Sequence, residues 1–225
     1  MSRKVIFCKY ESSRDAHSNV SDVLDGEDLD QVAELENDFI DYIGCDYALA
    51  TSHGTSALHL AMLALDLKRG DKIVCSVNAH PNVPEVVRHF DAEPIFIDID
   101  AQSYNINLDK LEAYLEDNKS KKLKAVIVTH VAGQCVDLER LYNMGKIYNV
   151  KIVEDASEAL GATYKGNKIG STGADITCFN FSSHLKKDVC NGGMIVSNSE
   201  DIIDRAKLLS SHAMTRNQDA LEYIY

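Results

Sequence analysis

The chain has 225 residues, 45% hydrophobic and 26% charged, with 12 Gly and 3 Pro, the make-up of a globular protein of one domain or slightly more. Its 23 Lys and Arg stand against 35 Asp and Glu, a net charge of −12 that argues against an extended nucleic-acid footprint but leaves room for a local phosphate pocket. No apolar run approaches the roughly 18 residues of a membrane span, and Val5–Cys8 is too short for a signal peptide, so the expectation is a cytoplasmic protein without membrane attachment.

The first 23 residues read as an irregular N-terminal segment. Leu29, Val32, Leu35, Phe39 and Ile43 then recur at helical spacing, which predicts a helix over Glu27–Ile43 with Gly44 as its C-cap. Short apolar runs follow as predicted strands at Tyr47–Thr51, Lys72–Ser76, Pro94–Asp98, Lys124–Thr129 and Lys151–Glu154. Helical patterns separate them at Thr55–Leu67, Asn82–Phe90, Leu108–Asn118 and Leu138–Tyr148, the alternation of βαβ units around a mainly parallel sheet. Thr163–Ile169, with Gly166 and Asn167 at its middle, reads as a hairpin. Ile176–Phe181 and Gly193–Ser197 read as two more strands, and Glu200–Ser210 as a last helix. The six cysteines, at 8, 45, 75, 135, 178 and 190, form no CxxC, so reduced, mostly buried thiols are expected and no metal site.

In an open parallel sheet ligands bind at the carboxyl ends of the strands, so the residues that follow each strand carry the interest. Ser52-His53-Gly54-Thr55-Ser56 opens a helix, and its small residues, hydroxyls and free N–H groups read either as a phosphate cradle or as a plain N-cap. Asp155, at the end of a buried strand, needs a partner: a protonated ring nitrogen of a cofactor, or the backbone of the turn it caps. Phe179–Phe181 runs towards Lys186 and Lys187 and then Gly192-Gly193. This places an amine capable of Schiff-base chemistry, or simply a solvated lysine pair, near the same sheet edge.

Taken in order, these pieces resemble the DegT/DnrJ/EryC1/StrS sugar aminotransferases. The segments that carry the likeness are Tyr42-Ile43-Gly44, SHGTSALHL from Ser52, EPIFID from Glu93, His130–Gln134 with Asp137, EDASEALGATYKG from Glu154, Gly173 with Asp175, GGMIVSN from Gly192, and LLSSHAMTR ending at Arg216. The resemblance implies a pyridoxal-phosphate-dependent transferase-like large domain of fold type I, three α/β/α layers around a mainly parallel sheet. That domain would occupy residues 24–225 after the 1–23 segment, with the family's small C-terminal domain missing. It also implies pyridoxal 5′-phosphate as cofactor, a nucleotide-linked keto-sugar as substrate, an amino acid, glutamate above all, as amino donor, and a homodimer, in amino-sugar and surface-glycan biosynthesis.

Carried over by position, Gly54, Thr55 and Ser56 would hold the cofactor phosphate, joined by Asn180 where many members have Ser. Asp155 would pair with the pyridine nitrogen, Glu158 would lie beside the phenolic oxygen, and His80 would replace a stacking aromatic. The family spacing sets its Schiff-base lysine at the position of Leu185, so the role passes to Lys186, one residue on, with Lys187 as second choice. Two other readings stay open. One is a sugar 3-dehydratase that uses His184 as its base, and the other is an inactive subunit that binds cofactor or nucleotide sugar.

Overall fold

A computed structural model describes residues 14–26, 31–181 and 191–214 of the chain. Seven strands form one sheet: β1 (Tyr47–Thr51), β2 (Lys72–Ser76), β3 (Glu93–Ile97), β4 (Leu123–Thr129), β5 (Lys151–Asp155), β8 (Ile176–Asn180) and β9 (Gly193–Ser197), in the order β1-β9-β8-β5-β4-β2-β3. The run from β8 to β3 is parallel, and β9 pairs antiparallel with both β8 and β1. β6 (Thr163–Tyr164) and β7 (Asn167–Lys168) make the separate hairpin. Its turn is Lys165-Gly166, both with positive φ (50° and 89°), one residue earlier than the sequence suggested, because Tyr164 and Asn167 form the closing pair.

The central strands are apolar on both sides, as burial between two helical layers requires. Period-2 alternation sorts their side chains. Ile73, Cys75, Ala125, Ile127, Val153 and Ile176 pack on one face with α3 (Gly54–Ala64), α4 (Asn82–Arg88) and α7 (Glu200–Ser210). Val74, Val126, Val128, Ile152 and Phe179 pack on the other with α2 (Gln31–Ile43), α5 (Leu108–Asp117) and α6 (Leu138–Tyr148). The expected three layers and mainly parallel sheet are therefore present. Each fully buried Leu, Ile, Met or Phe contributes about 1.5–3 kcal/mol, so these two clusters dominate stability.

The ends of elements follow local chemistry. The Asn107 side chain accepts from the N–H groups of Asp109 and Lys110, both at 3.0 Å, and starts α5. Asp137 does the same for Arg140 at 3.2 Å and starts α6. Asp175 accepts from the Ile152 N–H (2.8 Å) and from Lys151 Nζ (2.7 Å), which fixes the entry of β5 beside β8. One element escaped the sequence reading. Residues expected to be irregular include a helix, α1 (Arg14–Leu24), whose Val20, Val23 and Leu24 are exposed, so it lacks the buried apolar stripe that makes α2 legible. For α2 itself, residues 27–30 of the predicted span lie outside the described residues, and the helix is observed from Gln31.

Candidate functional site

The carboxyl ends of β2, β4, β5 and β8 meet the start of α3 around a cavity of about 360 Å³, within the range of small-molecule sites. Of the positions singled out from sequence, Thr55, His80, Asp155, Glu158 and Asn180 all line it. They come from four separate stretches of chain, and the parallel sheet gathers them because every strand in that run ends on the same edge.

Asp155 closes β5 with only 2% of its surface exposed. Its Oδ1 accepts from Ser157 Oγ at 2.6 Å and from the Ser157 N–H at 3.2 Å, and its Oδ2 from Thr129 Oγ1 at 3.2 Å. Burial pushes the carboxyl above its ordinary range, and the bonds from Ser157 and Thr129 pull the other way. None of these partners is a cation. A buried carboxyl on a cavity wall, held by hydroxyl and amide donors with the buried His130 as a lesser electrostatic influence, has the chemistry to accept a cationic N–H.

Gly54 opens α3 at a point of close approach. A Cβ there would lie 2.5 Å from Asn180 Cβ and 2.7 Å from its Cγ, so the first turn of α3 is pressed against the end of β8. Gly193 is tight in the same way, its would-be Cβ 2.6 Å from Thr51 Oγ1. His53 caps the helix, its Nδ1 accepting from the Thr55 N–H at 3.3 Å. The remaining N–H groups of a first helical turn favour an anion. Ser56 differs from its neighbour: its hydroxyl pairs with Ser52 Oγ at 3.3 Å, and it is not among the residues lining the cavity.

On the opposite wall Glu158 accepts from the Ala132 N–H at 2.6 Å. Ala132 and Gly133 both have positive φ (53° and 79°), and Asn105 holds this loop by accepting from the Val131 N–H (3.0 Å) and donating to the Gln134 carbonyl (2.7 Å). His80 Nδ1 lies 2.9 Å from Asn82 Oδ1, and Asn82 Nδ2 donates to Thr55 Oγ1 at 3.2 Å, so the loop after β2 is tied to the start of α3. Next to Asp155 in sequence, Glu154 points to the other face, fully buried, and accepts from Tyr142 Oη (2.5 Å) and Thr177 Oγ1 (3.1 Å). Its place is in the packing between β5 and α6, away from the cavity.

Sequence reasoning did not single out Asn78, Asn82, Thr129 or Ser157, which also line the cavity. Thr129 was within reach, because it ends β4 in direct register with Asp155. Asn82 was not, because its role depends on how the loop after β2 folds back onto α3. Lys186, Lys187 and His184, the candidates for covalent or proton-transfer chemistry, lie outside the described residues. A larger cavity of about 710 Å³ lies between α2 and the β1–β9 end of the sheet. Its wall is mostly apolar, with Val32, Leu35, Phe39, Tyr42 and Leu160, although Asp38, Thr51, Ser52 and Asn191 also line it; the smaller cavity, where a buried carboxylate, hydroxyls and amides meet a helix start, is the better candidate for chemistry.

Among the described residues no group of three or more His, Cys, Asp or Glu could hold a metal ion, and no helix is long and apolar enough to cross a membrane.

Comparison with known proteins identifies the family. The chain is 33% identical over 187 residues to GDP-perosamine synthase of Caulobacter vibrioides, covering 83% of this chain and 49% of that protein. It is 37% identical over 192 residues to UDP-4-amino-4,6-dideoxy-N-acetyl-beta-L-altrosamine transaminase of Campylobacter jejuni, covering 84% and 49%. The structure of an aminotransferase from Psychrobacter cryohalolentis superposes with a TM-score of 0.85 at 26% identity, covering 94% of this chain and 54% of that one. The chain thus spans about half the length of the curated relatives it matches. The model of the DegT/DnrJ/EryC1/StrS aminotransferase family matches residues 12–224, and the chain belongs to that family.

Proposed function

We propose that residues 24–225 form the cofactor-binding large domain of an aminotransferase that uses pyridoxal 5′-phosphate to move an amino group from an amino acid, glutamate first, to the keto group of a nucleotide-linked sugar. The observation that carries this is the joining, in one cavity, of a buried and cation-seeking Asp155 with a helix N-terminus backed by Thr55 and Asn180. Those two ends match the two ends of the cofactor, a protonated ring nitrogen and a phosphate. When bound, the cofactor supplies an electron-withdrawing ring that stabilises the negative charge left when a neighbouring carbon loses its proton.

In this reading the backbone from Gly54 to Ser56, the Thr55 hydroxyl and the Asn180 amide hold the phosphate, while the Ser56 hydroxyl stays paired with Ser52. Asp155, oriented by Ser157 and Thr129, keeps the ring nitrogen protonated. Glu158, anchored by the Ala132 N–H, sits beside the phenolic oxygen, and His80 lies against the ring. Lys186 is assigned to take the proton from the amine-bearing carbon and to return it, with Lys187 and then His184 as its alternatives. The same reading places the protein in the cytoplasm as a homodimer that takes part in surface-glycan synthesis, with no membrane or nucleic-acid partner.

The test is reconstitution of the chain with pyridoxal 5′-phosphate, followed by borohydride reduction, peptide mapping, and incubation with glutamate and a nucleotide-linked 4-keto-sugar. The expected results are a new near-ultraviolet absorption, a reduced adduct on Lys186 and an aminated sugar nucleotide. An adduct on Lys187 reassigns the lysine. A deoxysugar with free ammonia replaces transamination by dehydration. Absence of cofactor binding overturns the reading altogether.

A further inference from the structure

His80 Nδ1 stands between two groups that demand opposite states of it. Asn82 Oδ1, at 2.9 Å, is an acceptor and requires a proton on Nδ1. The Asn82 backbone N–H, at 3.3 Å, is a donor and requires a lone pair there. Only one of the two can be satisfied in a neutral imidazole. The choice is made by the Asn82 side-chain amide, and that amide is itself tied, through Nδ2, to Thr55 Oγ1 at 3.2 Å. Thr55 lies in the first turn of α3 and lines the cavity that His80 also lines.

A threonine hydroxyl has a single proton to give. When an anion lies at the start of α3, Thr55 donates that proton to it, and Oγ1 is left to accept from Asn82 Nδ2. The Asn82 carbonyl must then face His80, Nδ1 must carry the hydrogen, and Nε2 is left as a bare acceptor. When no anion is present, the Thr55 hydroxyl is free to donate to Asn82 instead. The amide can then turn over, so that only donors, Nδ2 and the backbone N–H, face the single lone pair of Nδ1, one of them bonds to it, and the imidazole hydrogen sits on Nε2. Among the described residues Nε2 has no hydrogen-bond partner.

We propose that Thr55, Asn82 and His80 form a relay by which an anion at the α3 N-terminus fixes the tautomer of His80, a residue that lines the cavity, and turns its Nε2 into a hydrogen-bond acceptor. This rests on the cofactor reading above for the identity of the anion, and it deepens that reading by assigning a specificity role. With the cofactor phosphate in place, His80 favours a substrate group that donates, an amine or a sugar hydroxyl, over one that only accepts. Asn82 is a positioning residue here, acting through His80.

The experiment uses inorganic phosphate as the probe and needs no turnover. Long-range proton–nitrogen NMR of the 225-residue chain, at a pH of about 8, reads the His80 tautomer ratio, with His80→Gln assigning the signal. Saturating phosphate is expected to raise the ratio of Nδ1–H to Nε2–H by about fivefold or more, an ordinary size for coupling between two sites. In Asn82→Ala the Thr55 and Ser56 amide signals should still shift with phosphate while the His80 ratio stays constant. Amide shifts in the parent chain without a change at His80 would overturn the relay and leave the cofactor reading standing. An equal change in Asn82→Ala would also overturn it, because the effect would then bypass Asn82. No amide shift at Thr55 or Ser56 would overturn the anion site and the relay together.

Discussion

Asp155, by its burial, weakens the fold, a cost that the proposed contact with the cofactor would offset. Its carboxyl binds a proton more tightly in the folded chain than in the unfolded one, because burial penalises the charged form more than Ser157 and Thr129 favour it. A folded-state pKa above the unfolded value means that stability from this group is present at low pH and falls as pH rises past about 4, the ordinary carboxylate range. Asp155→Asn keeps an oxygen for the Ser157 donors and removes the charge. Without cofactor, the variant is expected to be more stable than the parent at neutral pH, with the difference vanishing below pH ~4, as chemical denaturation across that range would show. With cofactor the sign reverses. Loss of one member of a buried charge pair should weaken pyridoxal-phosphate binding by about 2 kcal/mol or more, read by fluorescence titration. A variant destabilised at neutral pH, or one that binds cofactor as well as the parent, would contradict this account. The cysteines are the plainer counterpart. Cys45, Cys75 and Cys178 are buried free thiols, with burial pushing Cys45 to about 11 and Cys75 to about 12, and only Cys135 is half-exposed among those described.

Strands and helices were legible wherever their pattern was tied to burial. β1, β2, β9, α6 and α7 occur at the boundaries that periodicity gave, and β3, β4, β5 and β8 differ by a residue at one or both ends. α3 was harder, because it starts at Gly54, one residue before its apolar pattern, and ends at Ala64, where Leu65 closes it and Asp66 turns to a φ of 56°. The early start has a packing reason that no single-sequence pattern contains, namely the contact of Gly54 with Asn180 on β8. Gly54→Ala would place a methyl carbon 2.5 Å from Asn180 Cβ, well inside van der Waals contact, on two elements held by the sheet and the helical layer. The expected cost is about 1–3 kcal/mol, the usual penalty of overpacking, measurable as a lower denaturation midpoint. Movement of α3 away from β8 should also separate Thr55 from Asn180, so cofactor affinity is expected to fall alongside stability. A variant with unchanged midpoint would mean that the α3–β8 junction is looser than this packing implies. The candidate site was legible in the same measure. Asp155 and Thr55 stood out because they follow strands, while Asn82 and Ser157 act through loop geometry that a linear pattern does not reveal.

The molecule as a whole carries a net charge of −12, yet the proposed ligands are anions. The conflict is resolved by how the cavity is built. No Lys or Arg is among the described residues that line it, and its anion-attracting groups are backbone N–H, hydroxyl and amide dipoles with short reach. The net charge of the chain then opposes, rather than steers, an approaching phosphate. Salt screens that repulsion over distances beyond about 10 Å at 0.1 M, but it does little to dipoles in direct contact with the ligand. Raising the ionic strength from about 0.05 to 0.5 M should thus leave the affinity for pyridoxal 5′-phosphate unchanged or tighten it slightly, and should speed association. A site that relied on a basic patch would behave in the opposite way, losing affinity steadily with salt. Stopped-flow fluorescence across that range, with a chloride salt so that the added anion competes poorly for the phosphate position, separates the two designs. A steep loss of affinity would show that cationic side chains, the Lys186–Lys187 pair first among them, carry the phosphate instead of the start of α3.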